Sequence, residues 1–168
     1  MIAWLALVAA LALTGCGYHI SGRKESLPAH VRTIAIPAFN NITSRYKLSD
    51  RLPGAITREF ITRTRYRVVP NEGEADAILR GGVLNFLSFP NVIDQGRAAS
   101  AQVIVYLQLT LVERASGKVL YSRPNMEIRQ NYEIAIDPNA YFDESDMAIE
   151  RLSREVARSV VSAVIEAF

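Results

Sequence analysis

One side chain stands where it can carry a covalent group. Cys16 is the sole cysteine of the 168-residue chain, so it has no partner for an internal disulfide. It follows the small residues Thr14 and Gly15, which leave the backbone ahead of the thiol open to a peptidase. Other reactive side chains are sparse. The two histidines, His19 and His30, both lie in the polar stretch after the cysteine. As a metal pair they would need further ligands, and no cysteine or carboxylate cluster nearby supplies them, so they read as solvated. With no histidine further along, a Ser-His-Asp or Cys-His arrangement is ruled out by inventory. There is no HExxH, no CxxC and no phosphate-binding loop. Asp143, Glu144 and Asp146 could hold a cation, but acidic residues opening a helix are the simpler account, because the helix dipole favours them there. The sequence therefore points away from an enzyme, a cofactor or a metal. A net charge of +2 is too small to argue for nucleic acid.

Residues 2–13 form an almost unbroken apolar run, too short to span a bilayer as a helix, which takes about 20 residues, but long enough for the core of a secretory signal. No Lys or Arg precedes the run, a departure from the usual signal pattern. The string Leu13-Thr14-Gly15-Cys16 resembles the lipobox of bacterial lipoprotein precursors: an aliphatic residue, two small residues, then the thiol that takes the lipid. That resemblance implies cleavage before Cys16 and a membrane anchor on it. Gly17 stands where an aspartate tends to hold Gram-negative lipoproteins in the inner membrane, which implies the outer membrane, on its periplasmic side. The expected organisation is a signal peptide over 1–15, a lipidated tether over 16–30 broken by Gly22 and Pro28, and a single domain over 31–168.

The elements follow from periodicity. Residues 31–39 are a β-branched run with Pro37 near its end, a first strand that finishes at an edge or a terminus. A first helix is expected over 50–63, capped by Asp50, with Pro53 in its first turn and Leu48, Leu52, Ile56 and Phe60 as its apolar stripe. Residues 66–70 are a short extended piece. Residues 75–87 open a long strand, in which Gly81-Gly82 signals a bulge or a close backbone approach. Over 100–113, Ala101, Val103, Val105, Leu107, Leu109 and Leu111 alternate with Gln102, Tyr106, Gln108 and Thr110, which is a strand with one buried face. A turn at 114–117 returns the chain along 118–134, where Pro124 predicts a bulge or an edge. A last helix carries Ile149, Leu152, Val156, Val160, Val164 and Phe168 on one face. The order β-α-β-β-β-α predicts an α/β (α+β) two-layer sandwich, with a mostly antiparallel sheet of about four strands packed by two helices. Charge is segregated along the chain. Residues 41–67 carry seven basic and two acidic residues, and 137–168 carry three basic and seven acidic. Such segments either pack side by side or face different partners.

The string Gly15-Cys16-Gly17-Tyr18-His19, Leu27-Pro28, Ile34-Ala35-Ile36-Pro37-Ala38-Phe39-Asn40-Asn41-Ile42-Thr43, and then Ala75-Asp76-Ala77-Ile78-Leu79-Arg80-Gly81, resembles the LPS-assembly lipoprotein family LptE. So do the long hairpin and the C-terminal helix. The resemblance covers the whole chain after the signal. It implies a small α/β lipoprotein that sits inside the outer-membrane β-barrel LptD, helping that barrel assemble and insert lipopolysaccharide into the outer leaflet. A second resemblance runs from Ile34 to Asn41, which also looks like the opening strand of CsgG-like secretion lipoproteins that oligomerise into pores. The chain is short for such a protein and shows no pair of membrane-crossing hairpins with aromatic girdles. Separately from either family, Arg97, Arg114 and Lys118 flank the two strand turns and could meet the phosphates of lipopolysaccharide. If the turns lie at opposite ends of the central strand, Arg114 with Lys118 is the favoured site.

Cys16→Ser is expected to yield a product without added lipid mass, soluble or still carrying its signal. Mass spectrometry of the purified variant checks this, and an acylated Cys16→Ser chain contradicts it.

Overall fold

The computed structural model describes residues 27–94, 97–133 and 146–168, with the side chains at 90–94, 97–99, 101, 132–133 and 146–148 not described. Strands β1 (Thr33–Ala35) and β2 (Asn40–Asn41) lead into helix α1 (Tyr46–Arg63). Strand β3 (Arg67–Val69) and a short 3-10 turn (Glu72–Glu74) follow. Then come the long strands β4 (Ala77–Asp94), β5 (Arg97–Glu113) and β6 (Val119–Glu133), and helix α2 (Asp146–Ile165). The sheet has six strands in the order β3-β1-β4-β5-β6, with β2 also pairing β4.

The class is the expected one, mixed α+β with two helices on one sheet, but the strand order and count differ from the sequence-based expectation. The run 31–39 keeps only β1, because Pro37 has no N–H for a ladder, and a second short strand, β2, starts just past it at Asn40. The extended piece at 66–70 becomes β3, parallel to β1 with Ile34 opposite Val68. β1 and β2 both run parallel to β4, with Ile34 opposite Ala77 and Asn40 opposite Gly82. The sheet is therefore mixed: three short parallel strands on one side of β4, and an antiparallel meander of three long ones on the other. Segments of two or three residues show no periodicity, which is why six strands read as four.

The core face of β5 is as expected, with Val103, Val105, Leu107, Leu109 and Leu111 all at most 1% exposed. On the opposite face Gln102, Tyr106 and Thr110 are half-buried and Gln108 is exposed. Ile104 departs from that polar pattern: it sits on the same face and is buried. The helices cover the core face. Leu48, Leu52, Ile56 and Phe60 of α1 are each 0% exposed, as are Leu152, Val156 and Val160 of α2. Phe168 packs only partly against this core. α1 begins at Tyr46, a turn before the expected Asp50, so Pro53 lies inside the helix rather than in its first turn. An Asx turn starts it early. The Asn41 carboxamide oxygen accepts from the Thr43 N–H and hydroxyl at 2.8 Å each, and the Thr43 hydroxyl accepts from the Arg45 N–H at 3.1 Å.

The glycine pair does what its position suggested. A Cβ on Gly81 would collide with the Phe39 ring, and one on Gly82 would lie 3.5 Å from the Asn40 carbonyl oxygen. The missing side chains let β2 lie against β4. A bulge follows directly, between Val83 and Asn85. At Pro124 the β5–β6 register slips, with Leu107 opposite Met126 but Leu109 opposite Arg123, and β6 forms an edge of the sheet. The oppositely charged segments pack side by side, with Arg58 and Arg51 of α1 reaching Glu150 of α2 at 3.1 and 4.0 Å. These exposed pairs set the alignment of the helices more than their stability. Among the described residues no helix is long and apolar enough to cross a membrane.

Val160 is fully buried where α2 meets the sheet. Val160→Asp is expected to cost about 3–5 kcal/mol, the penalty of an unpaired charge in an apolar core. Chemical denaturation of the purified variant measures it, and parental stability contradicts the packing described here.

Candidate functional site

The richest polar cluster lies at one end of the sheet, where β1 and β4 start and β5 turns into β6. Its centre is Asp76, the residue just ahead of β4. One carboxylate oxygen of Asp76 accepts from the backbone N–H of Arg32 at 2.8 Å, the N–H of Thr33 at 2.9 Å and the Thr33 hydroxyl at 2.8 Å. The Asp76 N–H meets the Thr33 hydroxyl oxygen at 2.9 Å and the Thr33 carbonyl at 3.1 Å. On its other side the Asp76 carbonyl accepts from the Arg114 N–H at 2.8 Å, and the Arg114 Nε–H reaches the Ala75 carbonyl at 2.6 Å. These donors, the Arg32 N–H first and the Thr33 hydroxyl next, hold the Asp76 carboxyl below the usual aspartate range, with the Arg114 charge adding to them.

The turn beside it is built in the same way. Glu113 takes a hydrogen bond from the Ser116 hydroxyl and contacts His30 Nε2, and the two, Ser116 foremost, pull its carboxyl below the usual range. Gly117 closes the turn with φ of 71°, a conformation that favours glycine. Its N–H and that of Glu113 bond across it, to the Glu113 carbonyl at 2.9 Å and the Lys118 carbonyl at 2.8 Å.

The sequence-predicted residues fall into three groups. Cys16 lies outside the described residues. Arg97 opens β5 opposite Asp94, at the far end of the strand from Glu113, and its side chain is not described. The two turns thus lie at opposite ends of β5, and only Arg114 and Lys118 are brought together, both exposed. The cluster around Asp76 was not foreseen. Its signal was Ala75-Asp76-Ala77, an aspartate between two residues that are fully buried, just where a strand begins. His30, read from the sequence as solvated, is indeed exposed but rests on Glu113.

Two parallel-packed helices on one face of a mixed sheet, with a polar clasp where the N-terminal strap enters, define a small two-layer α+β domain. The chain belongs to the family described as LptE, Lipopolysaccharide-assembly, whose model matches residues 31–164. No curated protein matches the sequence. Among solved structures, the fold is similar to protein XCC0632 from Xanthomonas campestris, at 15% identity over 83% of this chain and 89% of that one, with a TM-score of 0.55. It is also similar to CT253 from Chlamydia trachomatis, at 10% identity over 79% and 94% of the two chains, with a TM-score of 0.53. A third similar structure is the PelC dodecamer from Paraburkholderia phytofirmans, at 14% identity, 84% and 94% coverage and a TM-score of 0.52. At these identities the likeness concerns the fold alone.

Asp76→Asn should weaken the clasp by about 1.5–3 kcal/mol, the range for hydrogen bonds to a charged group. The pH dependence has a definite sign. A carboxyl whose pKa is depressed in the folded state adds stability above its unfolded value, about 3.9 for aspartate, and that stability is lost as pH falls through the lower folded value. Urea titrations at pH 7 and pH 3 measure both, and the gap between parent and variant should narrow at pH 3. An equal gap at both pH values contradicts the assignment.

Proposed function

We propose that this chain is an outer-membrane lipoprotein, anchored through lipid on Cys16, that partners an LptD-like β-barrel in assembling lipopolysaccharide and inserting it into the outer leaflet. The observation that carries the proposal is the LptE family match across nearly the whole described domain, residues 31–164. The geometry is compatible with a role in binding rather than catalysis. The polar cluster is spent on internal hydrogen bonds that fix strand ends, and the face of the sheet away from the helices mixes Gln102, Tyr106, Gln108 and Thr110 in a way suited to a polar barrel interior.

The second reading, a CsgG-like oligomeric secretion lipoprotein, keeps one observation in its favour: a dodecameric protein has a similar fold. That likeness stands at 14% identity, and the family match outweighs it.

Lipopolysaccharide itself is expected to bind weakly at Arg114 and Lys118. The Arg114 Nε–H is engaged on Ala75, so the outer guanidinium nitrogens are the groups left to meet a lipid A phosphate, with the exposed Lys118 ammonium beside them. Phosphate contacts of this kind weaken in salt.

A pull-down from detergent-solubilised envelopes should recover a large outer-membrane barrel with the lipidated chain, and recovery of no barrel counts against the proposal. In a separate assay, lipopolysaccharide binding should fall at high ionic strength and fall further in Arg114→Glu/Lys118→Glu. Unchanged binding in the double variant removes that site and leaves the barrel partnership standing.

A further inference from the structure

The mixed sheet has an edge partway along one of its central strands. β1 and β2 pair with β4 only as far as Val83, where the Ile42 N–H bonds to the Val83 carbonyl at 3.2 Å. Beyond that point β4 runs on to Asp94 with β5 on one side, and no described strand pairs with it on the other. Such an edge offers a row of backbone donors and acceptors to any extended chain. The outer margins of the sheet are guarded in ordinary ways. β3 is only three residues long, and β6 carries Pro124 and the exposed charges of Glu127 and Arg129. The β4 edge has neither protection. Residues 84–93 include no charged side chain, and Phe89 among them is 49% exposed. A long, uncharged, apolar edge is a template for pairing with another copy.

The backbone of this stretch is guarded instead. Pro90 keeps its place in the ladder opposite Ala101. Proline has no N–H, so a proline inside an antiparallel ladder turns its nitrogen away from the partner strand. Donors alternate between the two sides of a strand, and the register runs unbroken from Asn85 to Pro90. Phe86 and Ser88 therefore point their N–H groups to the same open side as the Pro90 nitrogen. The Phe86 N–H is already engaged there: it donates to Oδ1 of its own neighbour, Asn85, at 2.8 Å. Of the outward positions, proline empties one and the Asn85 carboxamide occupies another. Ser88 alone, between them, keeps a donor for an incoming strand. Register slips between Val83 and Asn85 and between Pro90 and Val92 add local twist at both ends of the stretch.

We propose that Asn85 and Pro90 bar strand addition at the free edge of β4, and that this keeps the chain from pairing edge to edge with a second copy of itself. A strand laid along this edge would bury carbonyl groups opposite Phe86 and Pro90 with no donor to meet them, and unpaired buried carbonyls are costly. The bar acts whether or not a barrel is present. It also suits a domain that works beside unfinished barrel strands, which have open edges of their own.

Amide exchange in the full lipidated chain, held in detergent micelles, is the first test. Relative to intrinsic rates, the Phe86 amide should exchange roughly two- to tenfold more slowly than that of Ser88, the effect of one hydrogen bond. Equal protection at the two amides overturns the role of Asn85. The second test restores the donors. By sedimentation, the parent chain should be monomeric, and Asn85→Ala/Pro90→Val should form concentration-dependent dimers and larger species, with slowed exchange at positions 86, 88 and 90. Adding Ser88→Pro removes the donor between them and should return the variant to a monomer. Circular dichroism confirms that each variant is folded. A double variant that stays monomeric, or that associates as strongly with Ser88→Pro as without it, overturns the proposal.

Discussion

A single residue, Asp76, holds together three parts of the chain that are far apart in sequence. The Asp76 side chain binds the backbone ahead of β1, and its own peptide group binds both Thr33 and Arg114. β1 touches β4 through a register of only two residue pairs, Ile34 with Ala77 and Ala35 with Ile78. So short a ladder has few bonds with which to fix its own alignment. The aspartate supplies what is missing: a charged acceptor at a fixed position, satisfied by donors that would otherwise be left unpaired at a strand end. With β1 in place, Ile34 enters the core beside Leu79 and Val68, and α1 is delivered across the sheet face between β2 and β3.

The helical layer then follows from apolar burial, with charge choosing the neighbours. α1 and α2 each present a stripe that is buried against Val103, Val105, Leu107, Leu109 and Leu111. Their flanks meet through Arg58 and Glu150, and the Arg63 guanidinium reaches the Ser162 hydroxyl at 3.0 Å. The helices run parallel, because Arg51 and Arg58 of α1 face Glu150 near the start of α2 and Arg63, the last residue of α1, faces Ser162 in its C-terminal half. Burial of the stripes supplies the stability, while the exposed ion pairs add little each and favour this arrangement over others.

Long patterns in the sequence were legible because each has a period. Alternation along β5 and the four-residue stripe of α1 require only the geometry of a strand or a helix. The Gly81-Gly82 approach and the Pro124 bulge were legible because glycine and proline have few structural uses. The short strands β1, β2 and β3 were not, since two or three residues carry no period and their pairing is parallel and non-local. The Asp76 clasp was hidden for the same reason: its partners at Thr33 and Arg114 lie about forty residues away on either side, and only the fold brings them together. Of the candidate site, the register of β5 settled which basic residues can act together, separating Arg97 from Arg114 and Lys118.

The proposed partnership with a β-barrel fixes a stoichiometry for the chain. The chain belongs to the LptE lipopolysaccharide-assembly family, and stoichiometry separates a barrel partner from a self-assembly. Native mass spectrometry of the lipidated chain, purified from envelopes with whatever it holds, measures that directly. The account predicts one copy of this chain with one β-barrel, and a closed ring of identical copies with no barrel would contradict it.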